Sequence, residues 1–220
     1  MDIQPQVIIH ALPLLAEGLN MTLRFSAAAF LLGLGVGFAV GLLRYRSRFC
    51  FRLFAPYVEI TRGTPLLIQL YFIYYGLPSL GITMGCFTAG VLGLGLNSGA
   101  YISEIIRGAL YGVARGQEEA AYALGLSWFK AMALVVMPQA IRTALPPLVN
   151  AFSATIKDSS LVSIIAVTEL TRAGQLVYTR TFRAFEVYLV VGLAYLAIIL
   201  SISVLSARLE SRLKIKGLSH

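Results

Sequence analysis

The 220-residue chain is poor in charge, in histidine and in cysteine: 13% of its residues are Asp, Glu, Lys or Arg, and it holds two His, two Cys and one Trp. Its His and Cys residues fall in no metal-ligand spacing, so no metal centre is read from them. No G-x-x-x-x-G-K-[ST] run occurs, and the phosphate-cradling loop that ATP hydrolysis would need is therefore missing. The chain is not expected to be an enzyme, and no cofactor is expected in it. So little charge against 58% hydrophobic residues and a mean hydropathy of +0.78 excludes an ordinary soluble domain of this size. What remains is an all-α integral membrane protein. The net charge of +8 could suggest nucleic acid, but the basic residues sit in short clusters beside apolar runs. That is the positive-inside pattern, and no nucleic-acid partner is expected.

Five transmembrane helices are expected, at about 23–43, 53–77, 86–110, 139–167 and 187–207, with the N-terminus outside and the C-terminus inside. Residues 1–20, with Pro5, Pro13 and Gly18 and no basic cluster, suit an interfacial segment on the outer face. No cleaved signal peptide is expected there, since no basic region precedes the apolar residues. Gly33, Gly37 and Gly41 recur every fourth residue along the first span and make a smooth groove for a neighbouring helix. Arg44, Arg46, Arg48 and Arg52 hold the following loop in the cytoplasm. No charge falls between Gly63 and Ser103, and Pro78 and Gly81 divide that run into two spans. Cys50 and Cys86 then lie on opposite faces, which excludes a disulfide. Arg208, Arg212, Lys214 and Lys216 close the chain inside.

Polar residues within the spans are few, and each is a candidate for the solute pathway. Glu59 and Arg62, like Glu104 and Arg107, are three apart on one helical face, where they can pair. Asn97 is a lone amide among small residues, either an interhelical hydrogen bond or a wall of the pathway. Lys157, Asp158, Ser159 and Ser160 interrupt the fourth span, and four polar residues at that depth must face protein or a water-filled cavity. A zwitterion could place its carboxylate at Lys157 and its ammonium at Asp158, with the two serines and Asn97 as hydrogen-bonding neighbours. The competing reading pairs Lys157 and Asp158 with Glu59, Arg62 or Glu104 for assembly.

The most informative segment is the loop 112–135. Arg115, Gln117, Glu118 and Glu119 keep it in water. Ala120, Ala121 and Ala123 give its short helix a surface of low relief, Gly125 suits a left-handed end, and Ser127 can cap a second helix carrying Trp128, Phe129, Met132 and Leu134. Such a helix is either a knob for another protein's groove or an amphipathic connector.

Glu119-Ala120-Ala121, then Gly125, then Val135-x-Met137-Pro138, in this spacing, resembles the EAA loop of bacterial ABC importer permeases, with Val135 and Met137 in place of the usual Ile and Leu. The stretches RGTPLLIQLYFIYYGLP, PQAIRTALPPLVNAF and KDSSL are similar to the polar amino acid uptake subfamily, most of all to cystine permeases, with glutamine, arginine, histidine and glutamate permeases close behind. The resemblance implies a type I ABC importer permease fold in the inner membrane, working as a dimer with a second copy or a sister permease. It implies two ABC ATPase subunits that bind ATP and Mg, and a periplasmic or lipid-anchored amino acid-binding protein that delivers the substrate. Glu118, Glu119, Ala120, Ala121, Leu124 and Gly125 would dock on the ATPase. Lys157, Asp158, Ser159, Ser160, Asn97, Glu59 and Arg62 would line the substrate pathway. A self-sufficient channel or ion-coupled carrier, and a scaffold that recruits an ATPase, are the other classes compatible with the residues.

Overall fold

The computed structural model describes residues 5–213, which are nearly all helical and contain no strand. Residues 1–4 of the expected interfacial segment, and Lys214 and Lys216, lie outside the described residues. Helix α1, Pro5–Arg46, runs unbroken through residue 20, where an interfacial segment was expected to give way to a span. Pro13 removes one backbone donor without ending the helix. At 42 residues α1 is about 63 Å long, roughly twice the thickness of a hydrocarbon core.

The glycine groove of α1 takes helix α4, Cys86–Tyr111. A Cβ on Gly37 would lie 2.6 Å from the Ile102 Cβ and 2.7 Å from the Gly99 carbonyl oxygen, and one on Gly41 would lie 2.7 Å from the Ser103 carbonyl oxygen. The fit is reciprocal, because a Cβ on Gly95 would sit 3.1 Å from the Ala29 carbonyl oxygen. Backbones this close leave no room for a side chain, which gives a first prediction. Gly37→Leu is expected to cost about 1–3 kcal/mol or more by overpacking, read as a lower melting temperature in detergent. Gly35→Leu, whose Cβ meets nothing within 4 Å, should melt like the parent.

Helix α2, Arg48–Gly63, starts at Ser47, whose hydroxyl accepts from the Phe49 N–H at 3.2 Å. It stops at Thr64 because Pro65 pushes the preceding residue out of the helical region, to φ −116° and ψ 146°. The expected second span at 53–77 is therefore not one helix. A new run begins at α3, Leu66–Tyr71, and continues through a widened turn at Phe72–Gly76 and a tight one at Leu77–Leu80. It ends at Gly81, whose φ of 81° is left-handed. The run Leu66–Leu80 spans only about 22 Å and cannot cross a bilayer alone.

Helix α5, Arg115–Ala123, ends at Gly125 with φ 77°, its N–H donating to the Tyr122 carbonyl and that of Leu126 to the Ala121 carbonyl. From Trp128 the chain stays helical through α6, Trp128–Ala131, a widened turn at Met132–Val136, and α7, Met137–Asp158. A separate amphipathic helix and a re-entry at Gln139 were expected; one continuous rod replaces both, and Pro138, which has no N–H to donate, follows directly on the widened turn at Met132–Val136. Ser127 holds the cap position, but its hydroxyl makes no capping bond. A tight turn at Ser159–Ile165 leads to Ala166 at φ 68°, then to α8, Leu170–Thr181, and α9, Ala184–Leu213. Glu169 caps α8, accepting from the Thr171 and Arg172 N–H groups at 2.9 and 2.8 Å.

By length and composition three described segments can cross a membrane: Ile8–Arg46, Trp128–Ile165 and Ala184–Arg208. Phe25, Leu70, Leu94, Val162 and Ile165 form one core that ties α1, α3 and α4 to the turn after α7. Cys50 and Cys86 are both free.

Candidate functional site

Two helix breaks meet across α4 and line an open cavity of about 660 Å³. One wall is the α2–α3 break from Arg62 to Leu66, the second is α4 at Asn97, Ser98 and Tyr101, and the third is α7 at Asn150, Thr155 and Asp158. A break exposes backbone carbonyls that water cannot reach inside a membrane, so side chains must satisfy them. Gln69 does this from α3, its amide donating to the Thr61 and Thr64 carbonyls at 2.7 and 3.0 Å and to the Thr64 hydroxyl at 2.9 Å. Asn97 steadies Gln69 from α4, donating to its side-chain oxygen at 3.1 Å. Asn97 is thus an interhelical hydrogen bond and a wall of the cavity together.

The cavity carries one charge of each sign. The Arg62 guanidinium lies 5.2 Å from the Tyr101 ring centroid, in place of the expected pairing with Glu59. Glu59 is exposed, forms no ion pair among the described residues and does not line the cavity. Asp158 is half-buried at the end of α7 and has no ion-pair partner among the described residues. Lys157 is exposed and not part of the wall. Neither serine lines it: the buried Ser159 donates to the Ile156 carbonyl at 2.7 Å, and Ser160 to that of Lys157 at 2.7 Å. Glu104, the other suggested partner for Lys157 or Asp158, is taken by Arg44 and Arg107.

Arg62, Asn97 and Asp158 are therefore brought together, and Lys157, Ser159, Ser160 and Glu59 are not. The sequence reading missed Thr64, Tyr101, Asn150 and Thr155. Thr64-Pro65 was the available signal, since a residue before proline is pushed to extended geometry, which opens a helix inside an uncharged run.

The second candidate surface is α5. Glu119, Ala120, Ala123, Leu124 and Gly125 are exposed, Leu124 at 82%. Ala121 is 3% exposed and packs inward, and Glu118 is half-buried, so of the six residues expected at the ATPase these two do not lie on the outer face. The helical repeat accounts for this division: positions 118, 121 and 122 share one side of a helix, and 119, 120, 123 and 124 turn away. Glu118 accepts from the Tyr122 hydroxyl at 2.6 Å and from the Tyr45 hydroxyl at 3.3 Å. The bond to Glu118 holds the Tyr122 phenol above its ordinary value.

Known proteins resemble this arrangement along nearly its whole length. Residues 29–215 match the family described as binding-protein-dependent transport system inner membrane component. The glutamine transport system permease protein GlnP of Escherichia coli (strain K12) is 42% identical over 208 residues, covering 93% of this chain and 95% of that one. The probable amino-acid ABC transporter permease protein YckA of Bacillus subtilis (strain 168) is 38% identical, covering 88% and 86%. A crystal structure of an amino acid ABC transporter with histidines superposes with a TM-score of 0.90 at 38% identity, over 96% of this chain and 100% of that one. An inward-facing MetNI methionine ABC transporter shares the fold at 20% identity, with a TM-score of 0.81 over 92% and 97%. The cavity at two broken helices is thus set in a type I ABC importer permease fold, and the chain belongs to the binding-protein-dependent transport system inner membrane component family of ABC transporter permeases.

Proposed function

We propose that the chain is the membrane-spanning subunit of an ATP-driven importer that carries a polar amino acid across the bacterial inner membrane by alternating access. The observation that carries this reading is the cavity with Arg62 and Asp158 on its wall. A zwitterion presents a carboxylate and an ammonium, and a site favours it by meeting each with the opposite charge. Arg62 takes the carboxylate, helped by the positive end of the helical run that begins at Leu66, and Asp158 takes the ammonium. Asn150, Thr155 and Tyr101 are within the wall to bind a polar side chain. Arg62 replaces Lys157 in the role first considered for it.

In this proposal the chain crosses the membrane five times, N-terminus outside, the short run Leu66–Leu80 completing its crossing together with the end of α2, and it pairs with a second copy or a sister permease. ATP and Mg bind to two separate ATPase subunits, which receive the outer face of α5, and a binding protein delivers the amino acid from outside. Movement of α5 tilts the rods attached to it and exposes the cavity to one side and then the other. Glutamine is the proposed first substrate, because GlnP is named for it; cystine and the basic amino acids are the comparison set.

Reconstitution with the ATPase and binding protein in proteoliposomes tests the reading. Glutamine should raise ATP hydrolysis and be taken up only with ATP. Uptake that proceeds without the ATPase would instead identify a self-sufficient carrier, and ATPase recruitment with no uptake of any amino acid would identify a scaffold.

A further inference from the structure

Three consecutive residues at the end of α1 reach three different elements. Successive side chains on a helix project about 100° apart, so a short run can grip neighbours on several sides. Arg44, 4% exposed, ion-pairs with Glu104 of α4, which Arg107 also holds at 2.6 Å. The Tyr45 hydroxyl donates to Glu118 of α5 at 3.3 Å. The Arg46 guanidinium lies 4.0 Å from the Trp128 ring centroid of α6. One turn of helix therefore joins α4, at Glu104 next to its cavity-lining stretch, to both helices on either side of Gly125.

We propose that this turn is the joint through which displacement of α5 reaches the cavity, with Tyr45 as the positioning residue that binds α5 to α1 through Glu118. The proposal rests on the ATP-coupled reading above. Glu118 is then an internal tether and not a contact with the ATPase, consistent with its half-buried setting between two tyrosines. Movement entering at α5 passes through Tyr45 into α1, and from Arg44 to Glu104 into α4, which carries Asn97 and Tyr101. Arg46 on Trp128 makes the parallel connection to the rod that ends at Asp158.

The readout is the number of amino acid molecules imported per ATP hydrolysed, measured on the complete reconstituted complex. A residue needed only for folding lowers the amount of complex and both rates together, and leaves the ratio alone. Tyr45→Phe is expected to lower the ratio about three- to tenfold while ATP turnover continues, the range expected for one lost hydrogen bond. Glu118→Gln, which keeps an acceptor oxygen without the charge, should lower it less, and the double variant should fall no further than Tyr45→Phe alone. An unchanged ratio in both single variants, or a double variant whose loss is the product of the two, overturns the proposal while leaving the importer reading intact. A parent complex that shows no ATP-driven uptake overturns both.

Discussion

Asp158→Asn is expected to cut ATP-driven amino acid uptake by about ten- to a hundredfold, the equivalent of losing one hydrogen-bonded contact to a charged group. The substitution keeps shape and removes charge, so it tests the electrostatic role with little change in packing. Asp158 lines the cavity with no ion-pair partner among the described residues, which leaves its carboxylate available to a ligand ammonium. Arg62→Gln should produce a loss of similar size from the opposite wall, since Arg62 rests on Tyr101 and has no ion-pair partner among the described residues. Both variants should still co-purify with the ATPase. Were Asp158 an assembly residue, the complex itself would be lost, and co-purification separates the two outcomes. Lys157→Ala, by contrast, should affect uptake far less than Asp158→Asn, because Lys157 is exposed and does not line the cavity.

The second large effect is expected at the tip of α5. Leu124 is 82% exposed beside Gly125, whose φ of 77° sets the sharp end of the helix. In the proposed complex this side chain enters a groove of the ATPase, and truncating a side chain at the centre of an interface costs 2 kcal/mol or more, about thirtyfold in affinity. Leu124→Asp adds the cost of burying an unpaired charge, so it should abolish co-purification with the ATPase and all ATP-driven uptake. Gly125→Asp should do the same less completely, through strain at the left-handed position. Neither change touches the cavity or a packed interface within the chain, so both variants should be made and inserted in the membrane at parent levels. Normal uptake by Leu124→Asp would remove α5 as the contact with the ATPase.

Much of this architecture follows from features that a linear reading detects. The glycines at 33, 37 and 41 mark a groove because their period matches a helix, and α4 occupies it. The polar residues at 157–160 mark a place where a helix ends, and α7 gives way there to a tighter turn. Gly125 ends α5 in the conformation that glycine tolerates best. Orientation about a helix axis was harder to read. Asp158 lines the cavity and Lys157 does not, although they are neighbours, because one residue rotates a side chain by about 100°. The same rotation turns Ala121 and Glu118 inward while Ala120 and Glu119 stay outside. The break at Thr64 escaped a hydropathy reading because no charge marks it, and only the backbone effect of Pro65 does. The arginines of α1 read as a signal of membrane side, and the grip of Arg44 and Arg46 on α4 and α6 depends on folding that brings distant residues together.

In the proposed cycle the cavity faces one side of the membrane and then the other as ATP drives α5. Ala154 lines the cavity and offers a site for a probe once Cys50→Ser and Cys86→Ser have removed the native thiols. In such a protein carrying Ala154→Cys, assembled with its ATPase in oriented membranes, a membrane-impermeant thiol reagent should label from the cytoplasmic face without nucleotide. With ATP bound and hydrolysis blocked, it should label from the periplasmic face. Labelling from the same face in both states would rule out alternating access through this cavity.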